Sequence, residues 1–334
     1  MKREPNGPPR TTLGVGKWRG LHRCASRGGT LAMLALDHRQ NLRKVLKPDA
    51  PDQVSAGELS AFKSRVVSAL APEASAVLLD PEYGAAQCVV SGALPPTTGL
   101  VVALEATGFE GTTVARTSRL LPGWSPEKAR WMGADAVKLL VYYHPAAPTA
   151  EAVETLVREV ALECLRLDLA LMVEPLSYSL DPERKLGAAE RREVVVETAR
   201  RLTLPGVDLL KAEFPGDPKT ETDPAVWLES CREVSAASRV PWVLLSAGVD
   251  FETYLDQAAA ACRAGASGVA AGRAVWKELV GLPEAEQESF LRGVAATRMR
   301  RLAAICTALG RPIDDFFEPP ALTPDWFTRY PGNR

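Results

Sequence analysis

Eight short apolar runs, separated by longer amphipathic stretches, set the strongest limit on how this chain folds. Each run has four to six residues and does not alternate with polar residues, which is typical of strands covered on both faces. Such strands occur in parallel sheets whose faces are covered by helices. The predicted strands are residues 31–36, 76–79, 100–104, 136–140, 169–173, 207–210, 242–245 and 268–271.

Helices are predicted between these strands from the spacing of apolar residues and from end signals. Ser125, Pro126 and Glu127 have the pattern of an N-cap, a first-position proline and an acid in the first turn. Gly265 has the position of a glycine just beyond a helix C-terminus. Longer helices are predicted at residues 54–70, 151–167, 188–202, 224–237, 250–264 and 284–309.

A strand–helix unit repeated eight times predicts an α/β protein and, within that class, a (β/α)8 TIM barrel. The competing fold is a doubly wound open sheet, but the GxGxxG sequence that would favour it after the first strand does not occur. No domain break is evident. We expect a barrel at residues 21–310, a flexible N-terminal tail at 1–20, and an aromatic segment at 311–334 that packs on the barrel wall or at a subunit contact, or alternatively covers the site as a lid.

Charge and cysteine content exclude several classes of function. The chain has 40 Lys and Arg against 41 Asp and Glu, so nucleic acid and anionic membranes are not expected partners. Six cysteines without a CxxC pair, and only three histidines, leave little scope for a zinc cluster, and neither a metal nor a cofactor is expected. The absence of a long apolar run, together with reduced thiols, indicates a cytoplasmic protein. A homo-oligomer is one alternative for the assembly.

Charged residues at the ends of the predicted strands indicate an active site, because the C-terminal ends of barrel strands hold that site. Asp37 follows the first strand, Lys138 lies within the fourth, Glu174 follows the fifth and Lys211 ends the sixth. An unpaired buried charge costs several kcal/mol, so these groups are expected to neutralise one another. A buried ion-pair network without chemistry is the alternative interpretation.

Lys211 is the candidate nucleophile of this group. A lysine held in a dry pocket can attack a carbonyl once it has lost its proton, and burial together with the neighbouring charge of Lys138 favours that loss. Glu174 would then transfer protons as the imine forms and breaks. The protonated imine is an electron sink for cleavage of the adjacent C–C bond, and it needs no metal.

Residues after the last two strands have the pattern of a phosphate site, which we call the anion clamp. Ser246 and Gly248 follow the seventh strand, and Gly272 and Arg273 follow the eighth, the two positions at which many barrels bind phosphate. Plain turn geometry for the glycines and a surface ion pair for Arg273 are the alternatives.

Three further residues at the first strand end have open roles. His38 is a candidate ligand-binding or acid–base group, or a structural side chain. Arg39 and Arg43 are candidates for binding a second anion at the far end of a substrate, or else are solvated helix charges.

The sequence resembles the tagatose 1,6-bisphosphate aldolase family of class I, Schiff-base aldolases from about residue 31 to residue 279. The matching segments are LALDHR at 34–39, LLDPEYG at 78–84, EATGF at 105–109, GADAVKLLVYY at 133–143, DLLKAE at 208–213, LSAGV at 245–249 and AGRAVW at 271–276. The resemblance implies that Lys211 forms the Schiff base, Glu174 is the acid–base, and Asp37 and Lys138 complete the catalytic cluster. It also implies a barrel fold and a clamp that holds the phosphate of a dihydroxyacetone half.

One departure concerns the substrate. The family usually has glutamine where this chain has His38, so the aldehyde half can differ from glyceraldehyde 3-phosphate. A related branch cleaves a sulfofructose phosphate to sulfolactaldehyde, although EATGF and VYY favour the tagatose branch. A non-catalytic sugar-phosphate sensor and a transaldolase-like enzyme that uses the same imine are further alternatives. Stereospecificity at C4 stays open.

Overall fold

A closed barrel of eight parallel strands forms the centre of the protein. The computed structural model describes residues 10–330. Each strand pairs in parallel with the next in the chain, and the eighth pairs with the first, which confirms the predicted (β/α)8 TIM barrel. The strands are β1 Leu31–Leu36, β2 Ala76–Leu79, β3 Gly99–Ala103, β4 Ala136–Tyr142, β5 Ala170–Leu176, β6 Leu209–Ala212, β7 Trp242–Leu245 and β8 Gly268–Ala271.

Four strands have the predicted bounds, and the others differ from the prediction by one to three residues at an end. The change that concerns the charged residues is in β6, which begins and ends two residues later than predicted, so that Lys211 lies inside the strand. The strand begins after Asp208. The carboxylate of Asp208 accepts hydrogen bonds from Leu171 N and Lys17 Nζ at the N-terminal end of the barrel.

Twelve α-helices within residues 10–330 surround and close the barrel. Serine and aspartate caps fix several of their first turns, as in the capping box of Ser55 and Glu58 that begins α3. The predicted last helix is divided at a π-turn, Leu291–Ala295. The helices are α1 Val15–Cys24, α2 Gln40–Leu46, α3 Ala56–Leu70, α4 Ala85–Val90, α5 Pro126–Trp131, α6 Ala150–Leu167, α7 Ala188–Leu202, α8 Pro224–Ala237, α9 Phe251–Arg263, α10 Arg273–Trp276, α11 Glu284–Phe290 and α12 Ala296–Leu309.

Helix α1 closes the N-terminal end of the barrel. It packs so tightly that a Cβ at Gly20 would lie 2.2 Å from the carbonyl oxygen of Asp135. Lys17 forms a buried ion pair with Asp208 at 2.6 Å, and Leu21 is fully buried. The predicted flexible tail therefore ends too late: residues 15–20 belong to α1, whereas residues 1–9 lie outside the described part of the chain.

The aromatic C-terminal segment contacts the same end of the barrel. A short strand, Phe317–Glu318, pairs with Thr11–Thr12. Further along, the Tyr330 hydroxyl donates to Asp168 Oδ2 at 3.0 Å. Asp168 precedes β5, so this contact lies at the end of the barrel opposite the C-terminal strand ends. Residues 311–330 therefore do not cover the C-terminal strand ends as a lid would. Residues 331–334 lie outside the described residues.

Two further features concern the helices and the thiols. Across residues 10–330, none of the helices is both long enough and apolar enough to cross a membrane. All six cysteines are free thiols with buried side chains.

Candidate active site

Side-chain alternation along the strands delivers the charged residues to the barrel interior. Ala136 and Met172 belong to the apolar cluster that fills the lower barrel. Lys138 and Glu174 each follow one of these residues by two positions, and therefore point to the same side of their strand, into the barrel. Lys211 follows the interior residue Leu209 in the same way. The strand period therefore stacks a charged layer directly on an apolar one.

Lys138 is the centre of this charged layer. Its Nζ atom lies 2.7 Å from Asp37 Oδ2, 2.6 Å from Glu105 Oε1 and 3.1 Å from Glu174 Oε2. Its side chain is fully buried. Three carboxylates from three other strand ends thus surround one ammonium group, and we call these four residues together with Lys211 the lysine–carboxylate cluster.

Glu174 joins the two lysines of the cluster. Its Oε1 atom lies 2.7 Å from Lys211 Nζ, while Oε2 faces Lys138. Lys211 is 4% exposed, yet it lines the open cavity. A proton can therefore move between Lys211 and Glu174 along one short hydrogen bond, at a point that a ligand can reach.

Mutual contacts keep Asp37, Glu174 and Lys138 ionised against the effect of burial. Burial disfavours the charge on Lys138, but Asp37, Glu105 and Glu174 raise its pKa well above the usual value. Burial also opposes ionisation of Asp37, whose pKa Lys138 and Lys211 nevertheless hold well below the usual value. The same two lysines lower the pKa of Glu174 despite its burial. Asp37, Glu174 and Lys138 are therefore charged at neutral pH.

Glu105 is the cluster member that the site prediction omitted. Besides its contact with Lys138, it accepts a hydrogen bond from Leu140 N at 3.0 Å. It follows the interior residue Val101 by four positions, so the alternation along β3 already pointed it inward. The signal that indicates Glu105 is therefore the two-residue period of β3, continued past the end of the strand.

A cavity of about 330 Å³ opens above the cluster at the C-terminal ends of the strands. Lys211 and Glu174 form part of its wall, and its sides come from loops on opposite edges of the barrel mouth. Its lining includes Asp37, His38, Tyr142, Ser246, Gly272 and Arg273.

The clamp residues form one edge of the cavity. Gly248 has a φ of +80°, and a Cβ there would lie 3.1 Å from Arg273 Cζ, so glycine serves both the turn and the approach of the guanidinium. Ser246 Oγ accepts a hydrogen bond from Gly272 N at 3.2 Å. Among residues 10–330, no carboxylate lies within ion-pair distance of Arg273. The edge thus presents an uncompensated positive charge.

Arg39 and Arg43 are engaged with the protein itself. Arg39 is buried, lies 2.6 Å from Glu82 Oε2 and donates to the Glu105 carbonyl at 2.7 Å. Arg43 donates to the Val54 carbonyl. Arg39 lines the cavity, but its charge is already matched by carboxylates. That Arg39 binds a second substrate anion stays a prediction, and its pairing with Glu82 argues against it. This partner lies 43 residues away in the sequence, where no local pattern indicates it.

The Asp-Pro-Glu-Tyr-Gly segment shapes a turn. Asp80 is completely buried, pairs with Lys63 of α3 and accepts hydrogen bonds from Glu82 N and Tyr83 N. This fixes the turn that holds Glu82 against Arg39. The segment therefore supports the site without forming part of it.

His38 lies beside the clamp. Its ring packs edge-on against Trp276, with centroids 5.7 Å apart, and its Cε1 atom lies 3.3 Å from where a Cβ of Gly272 would stand. Burial lowers the pKa of His38 to about 4; Arg273 and Lys211 add to this effect, although Asp37 opposes it. His38 is therefore neutral at neutral pH.

We expect His38→Gln to reduce the loss of stability on acidification. Unfolded histidine binds its proton near pH ~6.5, whereas folded His38 does so only at about 4. The unfolded chain therefore binds more protons within this window, and the wild type loses stability as the pH falls through it. Urea unfolding at about pH 7 and about pH 4.5 measures the effect. Parallel losses in the two proteins would contradict it.

Candidate metal-ligating side chains form no cluster in the described part of the chain. Within residues 10–330, no group of three or more His, Cys, Asp or Glu side chains is arranged to hold a metal ion. The three carboxylates of the cluster are centred on Lys138.

Comparison with known proteins identifies relatives over most of the chain. A family model described as DeoC/LacD family aldolase matches residues 31–278. A tagatose 1,6-diphosphate aldolase from Listeria monocytogenes serotype 4b (strain CLIP80459) is 30% identical over 336 residues, covering 94% of this chain and 95% of that protein. Tagatose 1,6-diphosphate aldolase 2 from Enterococcus faecalis is 33% identical over 286 residues, covering 80% and 85%.

Solved structures share the architecture at lower identity. An archaeal fructose 1,6-bisphosphate aldolase superposes with a TM-score of 0.58 at 22% identity, covering 87% of this chain and 99% of that one. A fructose-bisphosphate aldolase from Plasmodium falciparum gives a TM-score of 0.70 at 15% identity, covering 92% and 99%. At these identities the likeness establishes the fold.

Proposed function

Because this chain belongs to the DeoC/LacD family of aldolases, we propose that it cleaves a ketose 1,6-bisphosphate of the tagatose type to dihydroxyacetone phosphate and glyceraldehyde 3-phosphate through an imine on Lys211. Membership of the family makes it an aldehyde-lyase. The observation that carries the proposed mechanism is the 2.7 Å contact between Lys211 Nζ and Glu174 Oε1 in the wall of the cavity.

Imine formation begins with a proton transfer within this pair. Movement of a proton from Lys211 to Glu174 leaves a neutral amine and a carboxylic acid. The amine attacks the C2 carbonyl of the ketose to give a carbinolamine, and Glu174 returns the proton to the carbinolamine hydroxyl, which leaves as water. The product is a positively charged imine beside the negative charges of the cluster.

Cleavage of the C3–C4 bond then uses the same carboxylate. Glu174 removes the proton of the C4 hydroxyl, the C3–C4 electron pair moves towards the imine nitrogen, and the aldehyde departs. The remaining enamine takes the proton from Glu174 at C3. Water adds to the imine and releases dihydroxyacetone phosphate, which balances the water lost in the first stage.

Lys138, Asp37 and Glu105 position Glu174 in this scheme. Lys138 holds Glu174 Oε2 at 3.1 Å, and the other two carboxylates hold Lys138 in turn. The free oxygen Oε1 therefore stays directed at Lys211. A preorganised contact of this kind avoids a reorganisation cost during reaction.

The clamp selects the dihydroxyacetone half. The uncompensated guanidinium of Arg273 and the open backbone turn at Gly248 suit a phosphate dianion. Gly272 N is held by Ser246 Oγ, so the serine orders the loop and can turn its hydroxyl to a ligand. His38, neutral and next to Gly272, lies on this phosphate side.

Borohydride reduction tests the mechanism directly. In the presence of tagatose 1,6-bisphosphate, reduction is expected to fix a substrate-derived adduct on Lys211, because the imine is the species that borohydride reduces. Peptide mass spectrometry locates the adduct. Fructose 1,6-bisphosphate and sulfofructose 1-phosphate, tried in turn, rank the substrates and distinguish a phosphate from a sulfonate on the aldehyde half.

Matched controls separate the outcomes. Reduction without substrate is expected to leave Lys211 unmodified. If the protein binds the three sugar phosphates but neither cleaves them nor forms an adduct, the non-catalytic sensor is favoured. An adduct on Lys138 would show that Lys138, and not Lys211, is the nucleophile.

A further inference from the structure

The edge of the mouth opposite the clamp carries an unusual arginine. In the closed barrel, four strand positions separate β7 and β8 from β3 and β4, so the loops of these two pairs face each other across the mouth. Between β3 and β4, a hairpin pairs Glu110–Thr112 with Ala115–Thr117. Arg116 lies in its second strand. A substrate held at the clamp and extended over Lys211 reaches towards this hairpin.

Arg116 is enclosed by aromatic rings. Its Cζ atom lies 4.5 Å from the ring centroid of Phe109, 4.6 Å from that of Tyr178 and 5.7 Å from that of Tyr142. Stacked rings fix the plane of a guanidinium and cover its faces while leaving its N–H edge open. The cage therefore holds Arg116 in a preset orientation.

The N–H edge of Arg116 has unused donors. Its Nε donates to the Thr113 carbonyl at 2.9 Å, and its two terminal nitrogens have no hydrogen-bond partner among residues 10–330. No carboxylate in that range lies within ion-pair distance of it either. Neighbouring arginines differ in this respect, since each has a carboxylate partner: Arg39, Arg119, Arg184 and Arg191.

Tyr142 connects Arg116 to the reaction cavity. The tyrosine lines that cavity and contacts the guanidinium with its ring. Burial raises the pKa of Tyr142; Arg116 counteracts this shift, while Glu105 and Glu174 reinforce it, so the phenol lies within the fields of both the cluster and Arg116. A second cavity of about 260 Å³ adjoins Arg116 and Tyr178 and leaves room for a ligand group.

We propose that Arg116 binds the oxyanion at the far end of the substrate, the phosphate or sulfonate carried by the departing aldehyde. This inference rests on the proposed function, and it assigns the second anion to the β3–β4 hairpin rather than to Arg39. A guanidinium with a free N–H edge binds a tetrahedral oxyanion through two hydrogen bonds. Arg116 is thus a specificity-determining residue for the aldehyde half.

The test compares a ketose 1,6-bisphosphate with the corresponding ketose 1-phosphate, which lacks the distal anion. For Arg116→Gln, kcat/KM for the bisphosphate is expected to fall at least about tenfold more than kcat/KM for the 1-phosphate. Arg116→Lys is expected to recover part of the difference. A 6-sulfonate substrate replaces the bisphosphate in a parallel series and distinguishes a sulfonate from a phosphate.

Two control variants define the remaining outcomes. Arg119→Gln removes a nearby charge that is already paired with Glu110, and it is expected to leave the substrate ratio as in the wild type. Arg273→Gln is expected to lower both activities equally, because both substrates carry the 1-phosphate. An unchanged ratio in Arg116→Gln overturns the subsite assignment alone, whereas absence of cleavage and of borohydride adduct in the wild type overturns the proposed function.

Discussion

Replacing Lys211 with methionine is expected to lower kcat/KM for aldol cleavage by at least about 10⁴-fold, because methionine has no amine with which to form the imine. The change removes the covalent step entirely, so the loss should appear in kcat and not only in KM. A coupled assay for dihydroxyacetone phosphate measures the rate, and borohydride with substrate should leave no adduct.

Lys211→Arg separates nucleophilic chemistry from charge pairing. Arginine keeps a positive charge beside Glu174 but cannot form the imine. We expect Lys211→Arg to be as inactive as Lys211→Met while retaining more of the wild-type stability in urea. If Lys211→Arg cleaves substrate, the reaction does not need an imine at this position, and Lys211 serves only as an ion-pair partner for Glu174.

Replacing Lys138 with methionine is expected to destabilise the fold by about 3–5 kcal/mol, the usual cost of leaving a buried charge without its partner. Lys138 is completely buried and contacts Asp37, Glu105 and Glu174. Without it, these three carboxylates repel one another in a dry environment. Urea unfolding near neutral pH measures the loss.

The pH dependence of this loss has a defined sign. In the wild type, Asp37 and Glu174 have lowered pKa values, so they contribute stability above the pKa of the unfolded chain and lose it as the pH falls through the folded values. In Lys138→Met, a carboxylate of the cluster can take up a proton at higher pH and relieve the repulsion. The difference between variant and wild type should therefore shrink on acidification.

Two comparisons make the Lys138 prediction decisive. Lys128→Met removes an exposed lysine of α5 that donates to the Gly123 carbonyl, and should change the stability little. Adding Glu105→Gln to Lys138→Met should recover part of the loss, because it removes one of the three repelling charges. A loss in Lys138→Met no larger than that in Lys128→Met would show that the cluster does not depend on its central cation.

The barrel could be predicted because strand periodicity and burial are local properties of the chain. All eight apolar runs became strands in their predicted order. The prediction was wrong near the N-terminus of the chain, where residues 15–20 are helical. The sequence does not indicate helix α1, because its apolar face covers a barrel opening that exists only once the strands have closed.

The catalytic candidates were predictable for a related reason. Lys138 and Lys211 are charged residues within apolar strands, and such residues need partners wherever the strands meet. Their partners were less predictable. Glu105 was omitted, and Arg39 was assigned to substrate although Glu82 already pairs with it.

Two aspartates of the motif segments, Asp135 and Asp208, show the same limit. Asp135 accepts hydrogen bonds from Leu100 N and Arg23, and Asp208 pairs with Lys17. Both hold α1 and neighbouring strands together at the N-terminal end of the barrel. Their positions shortly before Lys138 and Lys211 in the sequence do not reveal this role, because the two ends of a strand lie at opposite ends of the barrel.

The amino-acid sequence alone determines the order and type of the elements. It also determines the charged positions on the strands and the family of the chain. The tertiary structure decided which charges are used within the protein and which remain free. That distinction depends on side chains converging from distant parts of the chain. Glu82 neutralises Arg39, whereas Arg273 at the cavity edge and Arg116 in the β3–β4 hairpin have no carboxylate within ion-pair distance among the described residues. Closure of the barrel creates those distances, and no local pattern encodes them.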